Sequence, residues 1–217
     1  MEIEIRLNVN LAIQGGPAAL FAKILARPKL ANLPTGPVRA YEMFDVYYDT
    51  PDHLLAKNGV GLRLRVKGQE AFVTMKRGGS QNGALTRREE VEEPLDQARL
   101  DWVMSLIKEF VGEGPFPVAA FANGKECGGL VPSLEIRQAR TEIHVGDFAV
   151  VSLDVVEYPN VVASPFFDLE VEAKQGKISE SILREIEREL YALADGDLRA
   201  SPVSKLQRGL NFKRRPS

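Results

Sequence analysis

The chain has 217 residues, of which 44% are hydrophobic and 27% are charged, a composition typical of a globular protein with one large domain or two small ones. Its formal net charge is −2, so it has no overall positive field to attract nucleic acid or an anionic membrane. Cys127 is the only cysteine, which excludes an internal disulfide, and no apolar run approaches the roughly 20 residues of a membrane-spanning helix. We therefore expect a cytoplasmic protein without nucleic-acid or membrane partners.

Eight stretches alternate apolar and polar residues with the period of two that is typical of a β-strand. In chain order they are 2–9, 38–48, 60–67, 70–77, 86–93, 134–145, 148–157 and 166–175. Turn sequences such as KGQE after residue 67 separate them, and short turns favour antiparallel neighbours. The pattern predicts an α+β fold in one domain over 1–217, a closed antiparallel eight-stranded β-barrel with peripheral helices, because closure removes exposed sheet edges.

Three longer segments carry apolar residues at helical spacing. They are PAALFAKILARPKL, which has Pro17 near its start, DQARLDWVMSLIKEF, and SESILREIERELYALADG, which ends at Gly196. Asp96 is a favourable N-cap for the second segment, and glycine is typical just after the end of a helix. A short turn is expected within PDHLLAKNG.

The polar positions of the predicted strands are occupied mainly by Glu, Asp, Arg and Lys rather than by a mixture of polar residues. The rows are Glu2, Glu4 and Arg6; Arg63, Arg65 and Lys67; Thr74 and Lys76; Arg88, Glu90 and Glu92; Arg140 and Glu142; and Asp168, Glu170, Glu172 and Lys174. Side chains alternate along a strand, so each row points in one direction. For any single strand, a solvated outer face is the simpler interpretation.

If the rows face inward instead, the barrel encloses acids and bases that would be costly to bury without partners. Carboxylates suit a hard divalent cation such as Mg²⁺. Guanidinium and ammonium groups suit phosphate oxygens. The rows together therefore predict a metal-bridged polyphosphate inside the barrel, an arrangement suited to phosphoryl transfer.

Seven motifs in a fixed order carry a resemblance to a known family. They are MEIEIRL, YYDTPDHLLAKNGVGLRLRVKG, FVTMKRGG, RREEVEEPL, VSLDVVE, DLEVEAKQG and SKLQRG. In this order they resemble the CYTH superfamily, the triphosphate tunnel metalloenzymes, whose members include inorganic triphosphatases, thiamine triphosphatases and class IV adenylate cyclases. The resemblance extends from Met1 to about Leu210. Arg6 stands where the family usually has lysine and keeps the positive charge.

The resemblance implies roles for individual residues. Glu2, Glu4, Glu170 and Glu172 would hold a catalytic Mg²⁺ or Mn²⁺, and Asp154 and Glu90 would hold a second metal or orient basic residues. The residues expected to bind the triphosphate are Arg6, Arg63, Arg65, Lys76, Arg88, Arg140, Lys174, Lys205 and Arg208. Tyr47 and Lys76 resemble a pair that prepares the attacking water, and a hydroxide generated by the metal is the alternative.

The expected function is metal-dependent hydrolysis of a linear triphosphate, most simply inorganic tripolyphosphate. One alternative is a class IV-type adenylate cyclase that makes cyclic AMP and pyrophosphate from ATP, and another is a non-catalytic binder of triphosphate or nucleotide. A charged sheet protein with no anion site is the third. The partner would be a small-molecule triphosphate, and the oligomeric state stays open, a homodimer included.

Overall fold

The computed structural model describes residues 1–174 and 180–214. In chain order the strands are β1 (Glu2–Val9), β2 (Lys29–Leu30), β3 (Leu33–Pro34), β4 (Arg39–Asp49), β5 (Gly61–Lys67), β6 (Glu70–Asn82), β7 (Leu85–Pro94), β8 (Val131–Val145), β9 (Ala149–Tyr158), β10 (Val162–Ala173) and β11 (Leu198–Ala200). Eight of them follow one another as β10, β9, β8, β4, β5, β6, β7 and β1, and the pairing of β1 with β10 closes the sheet. The predicted closed eight-stranded antiparallel barrel is confirmed.

Each of the eight alternating stretches corresponds to one barrel strand. The prediction did not include β2 and β3, which pair only with each other, nor β11, which pairs with the end of β1. Strands of two or three residues are too short to show a period.

β6 also continues beyond its predicted end at residue 77, through a register shift between Arg77 and Ser80. Gly79 lies within that irregularity at φ 117°, and a Cβ there would lie 2.3 Å from the carbonyl oxygen of Arg87. Position 175 of the last predicted stretch lies outside the described residues.

The helices are α1 (Gly16–Leu25), α2 (Leu54–Lys57), α3 (Gln97–Ser105), α4 (Lys108–Val111), α5 (Val118–Ala122), α6 (Glu180–Ala194) and α7 (Lys205–Lys213). Asp96 caps α3 as predicted, because its side chain accepts a hydrogen bond from Arg99 N at 2.8 Å. The helix predicted over residues 96–110 is divided into α3 and α4. At the division, the Leu106 carbonyl accepts a hydrogen bond from Arg77 Nη1 at 2.9 Å. No helix within residues 1–174 and 180–214 is long and apolar enough to cross a membrane.

The main hydrophobic core lies outside the barrel, between the strands and the covering helices. Ile3, Ile5 and Leu7 of β1 pack with Leu183 and Ile186 of α6 in one large cluster. A second cluster joins the outer faces of β4, β5 and β6 to α3, and it contains Cys127. The alternating polar positions of the same strands therefore face the barrel interior.

One end of the barrel interior is filled by apolar side chains beneath α7. Leu134, Ile136, Val156 and Tyr158 cluster there with Leu210 of the helix. α7 approaches the strands closely, and Ser204 caps it by accepting a hydrogen bond from Gln207 N. This end has a packed floor, and the charged part of the interior lies above it.

Candidate functional site

The barrel interior contains a cavity of about 680 Å³ that is lined from all eight barrel strands and from the first turn of α7. Charged side chains dominate the lining. Glu2, Glu4, Arg63, Arg65 and Glu172, which come from three strands, all face this one cavity. The charged rows therefore face inward, and the simpler interpretation of a solvated outer face does not hold for these strands.

Carboxylates concentrate on the side of the barrel formed by β7, β1 and β10. We call Glu2, Glu90 and Glu172 the carboxylate cluster, since one oxygen from each lies within 4.8 Å of the others. Burial, and after it the negative charge of Glu2, raise the pKa of Glu172 to about 7. None of the described residues donates a hydrogen bond to the Glu172 carboxylate. Three oxygen donors at this spacing, one of which has no hydrogen-bond donor within the described part of the chain, fit a divalent cation such as Mg²⁺ or Mn²⁺.

Two further glutamates, on β1 and β10, are already bound by basic residues. Glu4 Oε1 accepts a hydrogen bond from Arg88 Nη2 at 2.7 Å, and Glu170 Oε2 accepts one from Arg140 Nη2 at 2.7 Å. Burial raises the pKa of Glu4 and the charge of Glu2 adds to it. For Glu170 burial acts in the same direction, but Lys205 and Arg140 outweigh it and hold the pKa well below its usual value. Glu4 and Glu170 line the cavity beside the carboxylate cluster.

Asp154 differs from the other predicted metal ligands because it lies behind the cavity wall. It is completely buried, and it is absent from the cavity lining. Arg140 binds its two oxygens through Nε and Nη2, both at 2.7 Å, and Lys205 Nζ lies 2.9 Å from Oδ2. Of the two roles expected for Asp154, this geometry favours the orientation of basic residues. Glu90, for which the same two roles were expected, lies in the carboxylate cluster.

Two cations contact Glu2 and Glu90 of the carboxylate cluster. Lys76 Nζ lies 2.8 Å from Glu2 Oε1 and 2.9 Å from Glu90 Oε1. Arg88 Nε donates to Glu2 Oε2 at 2.6 Å. Next to them on β1, Arg6 Nη2 donates to Thr86 Oγ1 at 2.9 Å. Charge-assisted bonds of this kind orient the cations toward the same space as the carboxylates.

Arg63 and Arg65 of β5, which we call the arginine pair, line the cavity across from β1. Asp45 of β4 lies behind them. It accepts hydrogen bonds from Arg65 Nε and Nη2, both at 2.8 Å. Burial would raise the pKa of Asp45, but Arg63 and Arg65 outweigh it and lower that pKa. Tyr47 faces the cavity beside the pair, and its hydroxyl accepts a hydrogen bond from Arg63 Nη1 at 3.3 Å.

Two predicted phosphate-binding residues differ in position from the others. Arg208 of α7 is absent from the cavity lining, and its Nη1 donates to Asp168 Oδ1 at 2.8 Å. Its Nε donates to the Tyr158 hydroxyl at 2.8 Å, at the packed floor of the barrel. Lys174 lies at the cavity margin, and its Nζ donates to the Gly146 carbonyl at 2.9 Å.

The model of the CYTH domain family matches residues 2–209. The chain belongs to the CYTH domain family. A stretch of 51 residues is 45% identical to an inorganic triphosphatase of Haemophilus influenzae, and it covers 24% of this chain and 14% of that relative. The match therefore spans a small part of the relative's length.

Two solved structures share the fold of this CYTH domain. One is a candidate adenylyl cyclase from Hippeastrum, described as having a dominant triphosphatase activity, with 16% identity, coverage of 100% of this chain and 98% of that one, and a TM-score of 0.63. The other is a candidate adenylate cyclase from Bacillus halodurans, with 18% identity, coverage of 96% of both chains and a TM-score of 0.59. At these identities the likeness shows the fold alone.

Sequence reasoning missed one residue that shapes the site of this CYTH domain. Asp45 stands at alternate spacing between Met43 and Tyr47 in EMFDVYY, so its inward direction was visible in the sequence. The sequence carries no signal for burial depth, because alternation does not distinguish a side chain that lines a cavity from one buried behind it.

The arrangement brings carboxylate oxygens, guanidinium groups and an ammonium group into one enclosed space. An anion with several negative charges could contact the arginine pair on one side while a cation bound to the carboxylate cluster neutralised the other. These are the requirements for positioning and charge stabilisation in phosphoryl chemistry.

Proposed function

We propose that this CYTH domain, acting as a single domain over residues 1–217, hydrolyses a linear triphosphate with a divalent metal bound in the barrel. The observation that carries the proposal is that the carboxylate cluster and the arginine pair face one another within a single cavity. A cavity lined by both signs of charge suits a substrate complex that also contains both signs.

The carboxylate cluster would hold Mg²⁺ or Mn²⁺, with Glu4 and Glu170 beside it. When bound, such a metal polarises a phosphate oxygen and lowers the pKa of water. Lys76 and Arg88, which contact Glu2 in this structure, would then be released toward phosphate oxygens. The chain's own cations and the bound metal would in this way share the negative charge of the substrate.

The basic residues that would bind the phosphate chain are Arg6, Arg63, Arg65, Lys76, Arg88, Arg140 and Lys205, with Lys174 at the cavity margin. Hydrolysis requires water to attack a terminal phosphorus, and the bridging oxygen then leaves with diphosphate. We assign Tyr47 and Lys76 to positioning that water, because both face the cavity. Asp154 orients Arg140 and Lys205. Arg208 forms an ion pair with Asp168 and so stabilises the barrel floor instead of contacting phosphate.

Inorganic tripolyphosphate is the simplest substrate, and the 45% identity with an inorganic triphosphatase over 51 residues supports it. A nucleotide-cyclising activity is the second candidate. Tyr41, Met43, Phe72 and Val150 give part of the cavity an apolar lining, which could contact a nucleoside attached to the phosphate chain.

The test is incubation of the purified chain with tripolyphosphate or ATP in Mg²⁺ or Mn²⁺, with all products resolved. Phosphate and diphosphate from tripolyphosphate support hydrolysis, whereas cyclic AMP and pyrophosphate from ATP support the cyclase. Glu172→Gln should reduce turnover by about tenfold or more, the least expected for disturbing a metal ligand. Glu135→Gln, on the exposed face of β8, is the matched control and should retain activity. Turnover by Glu172→Gln equal to that of the control would remove Glu172 from the metal site.

A further inference from the structure

Glu92 of β7 places one carboxylate oxygen among three hydrogen-bond donors of the cavity. Its Oε2 accepts a hydrogen bond from Thr74 Oγ1 at 2.8 Å and one from Arg63 Nη2 at 3.3 Å. Arg65 Nη1 lies 3.8 Å from the same oxygen. Glu92 is not part of the carboxylate cluster, so its contacts are with the basic side of the cavity.

Among the described residues, three carboxylates form ion pairs with the arginine pair. Glu90 of the carboxylate cluster lies 3.8 Å from Arg63 Nη2, and the other two, Asp45 and Glu92, differ in exposure. Asp45 lies behind the pair with a side chain that is 0% exposed, whereas the side chain of Glu92 is 36% exposed and lines the cavity. A fully buried carboxylate that leaves its partners loses a large interaction, whereas a carboxylate that already contacts solvent is rehydrated when it separates from them. Asp45 is therefore a fixed counter-ion of the pair, and Glu92 is an exchangeable one.

Two guanidinium groups and a hydroxyl around one oxygen form a binding position that also suits a phosphate oxygen. We propose that Glu92 is an internal competitor of the substrate, whose carboxylate occupies the anion position of Arg63, Arg65 and Thr74 and must leave before a phosphate group can take it. This inference rests on the proposed function, since it concerns phosphate binding in the same cavity.

The competition has a consequence for both ends of the reaction cycle. A phosphate group that binds the arginine pair must displace Glu92, which weakens binding of the substrate. The same carboxylate can return to Arg63 as products leave, which weakens product binding too. Glu92 thus lowers affinity for all phosphate compounds that reach this position, and no covalent step changes.

The test is binding of tripolyphosphate by calorimetry in the presence of EDTA, which prevents metal-dependent turnover. Glu92→Gln should lower the Kd by about fivefold or more, because a neutral amide does not compete for guanidinium groups as a carboxylate does. Its inhibition constant for diphosphate should fall in parallel. Glu92→Asp keeps the charge but shortens the side chain, so it should bind more tightly than the wild type and less tightly than Glu92→Gln.

Glu142→Gln is the matched control. Glu142 also lines the cavity, but its carboxylate accepts a hydrogen bond from the Tyr41 hydroxyl at 2.6 Å. Removing this charge should change the Kd by less than about twofold, because Glu142 forms no ion pair with the arginine pair among the described contacts and acts on the ligand only as a general charge. Equal tightening in Glu92→Gln and Glu142→Gln would overturn the proposal, and so would unchanged or weaker binding by Glu92→Gln.

Failure of the proposed function can be distinguished from failure of the inference about Glu92. If the wild type neither binds nor hydrolyses tripolyphosphate or a nucleoside triphosphate, both proposals are wrong. If the wild type binds and hydrolyses one of them while Glu92→Gln binds it no more tightly, the proposed function stands and the inference about Glu92 is wrong. Thermal unfolding of each variant shows that the comparison is made on folded protein.

Discussion

Glu4 on β1 lies directly opposite Glu172 on β10 in the antiparallel register that closes the barrel. Like charges at directly opposed positions destabilise a sheet. Both carboxyl groups have a raised pKa, first because of burial and then because of Glu2. The barrel therefore keeps acidic groups together where the fold alone would favour separating them, which is expected of a site that binds a cation.

Replacing Glu172 should stabilise the chelator-treated protein near neutral pH. The pKa of Glu172 is about 7 in the folded protein and about 4.3 in an unfolded chain. The folded state thus binds more protons between these values, so stability is highest below this window and falls as pH rises through it. Solvent screening of the partly exposed Glu172 side chain reduces the size of this change. Glu172→Gln should have a higher Tm than the wild type at pH 7.5 in EDTA, and a smaller difference at pH 5.

The control for this measurement is Glu135→Gln, which removes an exposed carboxylate from β8. Its Tm should follow that of the wild type at both pH values. If the Tm of Glu172→Gln falls between pH 5 and 7.5 as steeply as that of the wild type, Glu172 does not titrate in this window.

Most of the barrel could be predicted from the sequence because a period of two is a strong local signal. The alternation in EIEIRLNV identifies both faces of β1, and similar stretches identify the other barrel strands. α7 was not predicted, since its nine residues are stabilised by packing of Leu210 into the barrel floor rather than by a long apolar stripe. β11 has only three residues and is recognised as a strand only by its pairing with β1 in the structure.

The sequence predicts which side chains of the candidate site face the barrel interior, but not how deeply each of them is buried. Glu90 and Asp154 both stand on inward faces, and the family resemblance implied the same two roles for each, a second metal ligand or a group that orients basic residues. In the structure Glu90 reaches the carboxylate cluster, whereas Asp154 is enclosed by Arg140 and Lys205. Which basic residue neutralises which acid depends on the stagger of the closed barrel, and stagger is a property of the whole sheet.

Glu90 and Asp154 should have different effects on metal affinity. Glu90→Gln should weaken Mn²⁺ binding by roughly tenfold or more, because it removes one of three clustered oxygen donors. Asp154→Asn should change Mn²⁺ affinity little but lower the free energy of unfolding by about 3 kcal/mol, since Arg140 and Lys205 lose a buried counter-ion. Mn²⁺ titration followed by calorimetry, together with urea unfolding, measures both quantities. A loss of Mn²⁺ affinity confined to Asp154→Asn would reverse this assignment.

Arg140 and Arg208 provide a comparison between an arginine in the cavity and one on the barrel floor. Arg140→Gln should raise the KM for tripolyphosphate by roughly tenfold or more, because a charge-assisted contact to phosphate is lost. Arg208→Gln should lower the Tm through the lost pairing with Asp168 and change KM by less than about threefold. Steady-state kinetics and thermal unfolding separate the two effects. Equal increases of KM would show that Arg208 also reaches the substrate.

Gly209 determines how closely α7 approaches the barrel, and Gly209→Ala should destabilise the protein. A Cβ at this position would lie 2.5 Å from Leu134 Cδ2 and 2.7 Å from Tyr158 Cε1, on two side chains of the packed floor. Overpacking of this kind costs about 1–3 kcal/mol. Gly114→Ala is the control, because a Cβ there would meet no atom within 4 Å, so its Tm should equal that of the wild type. Lys205 lies in the first turn of the same helix and contacts Asp154, so displacement of α7 should also raise the KM for tripolyphosphate. If Gly209→Ala is as stable as Gly114→Ala, the close packing of α7 does not hold the helix in place.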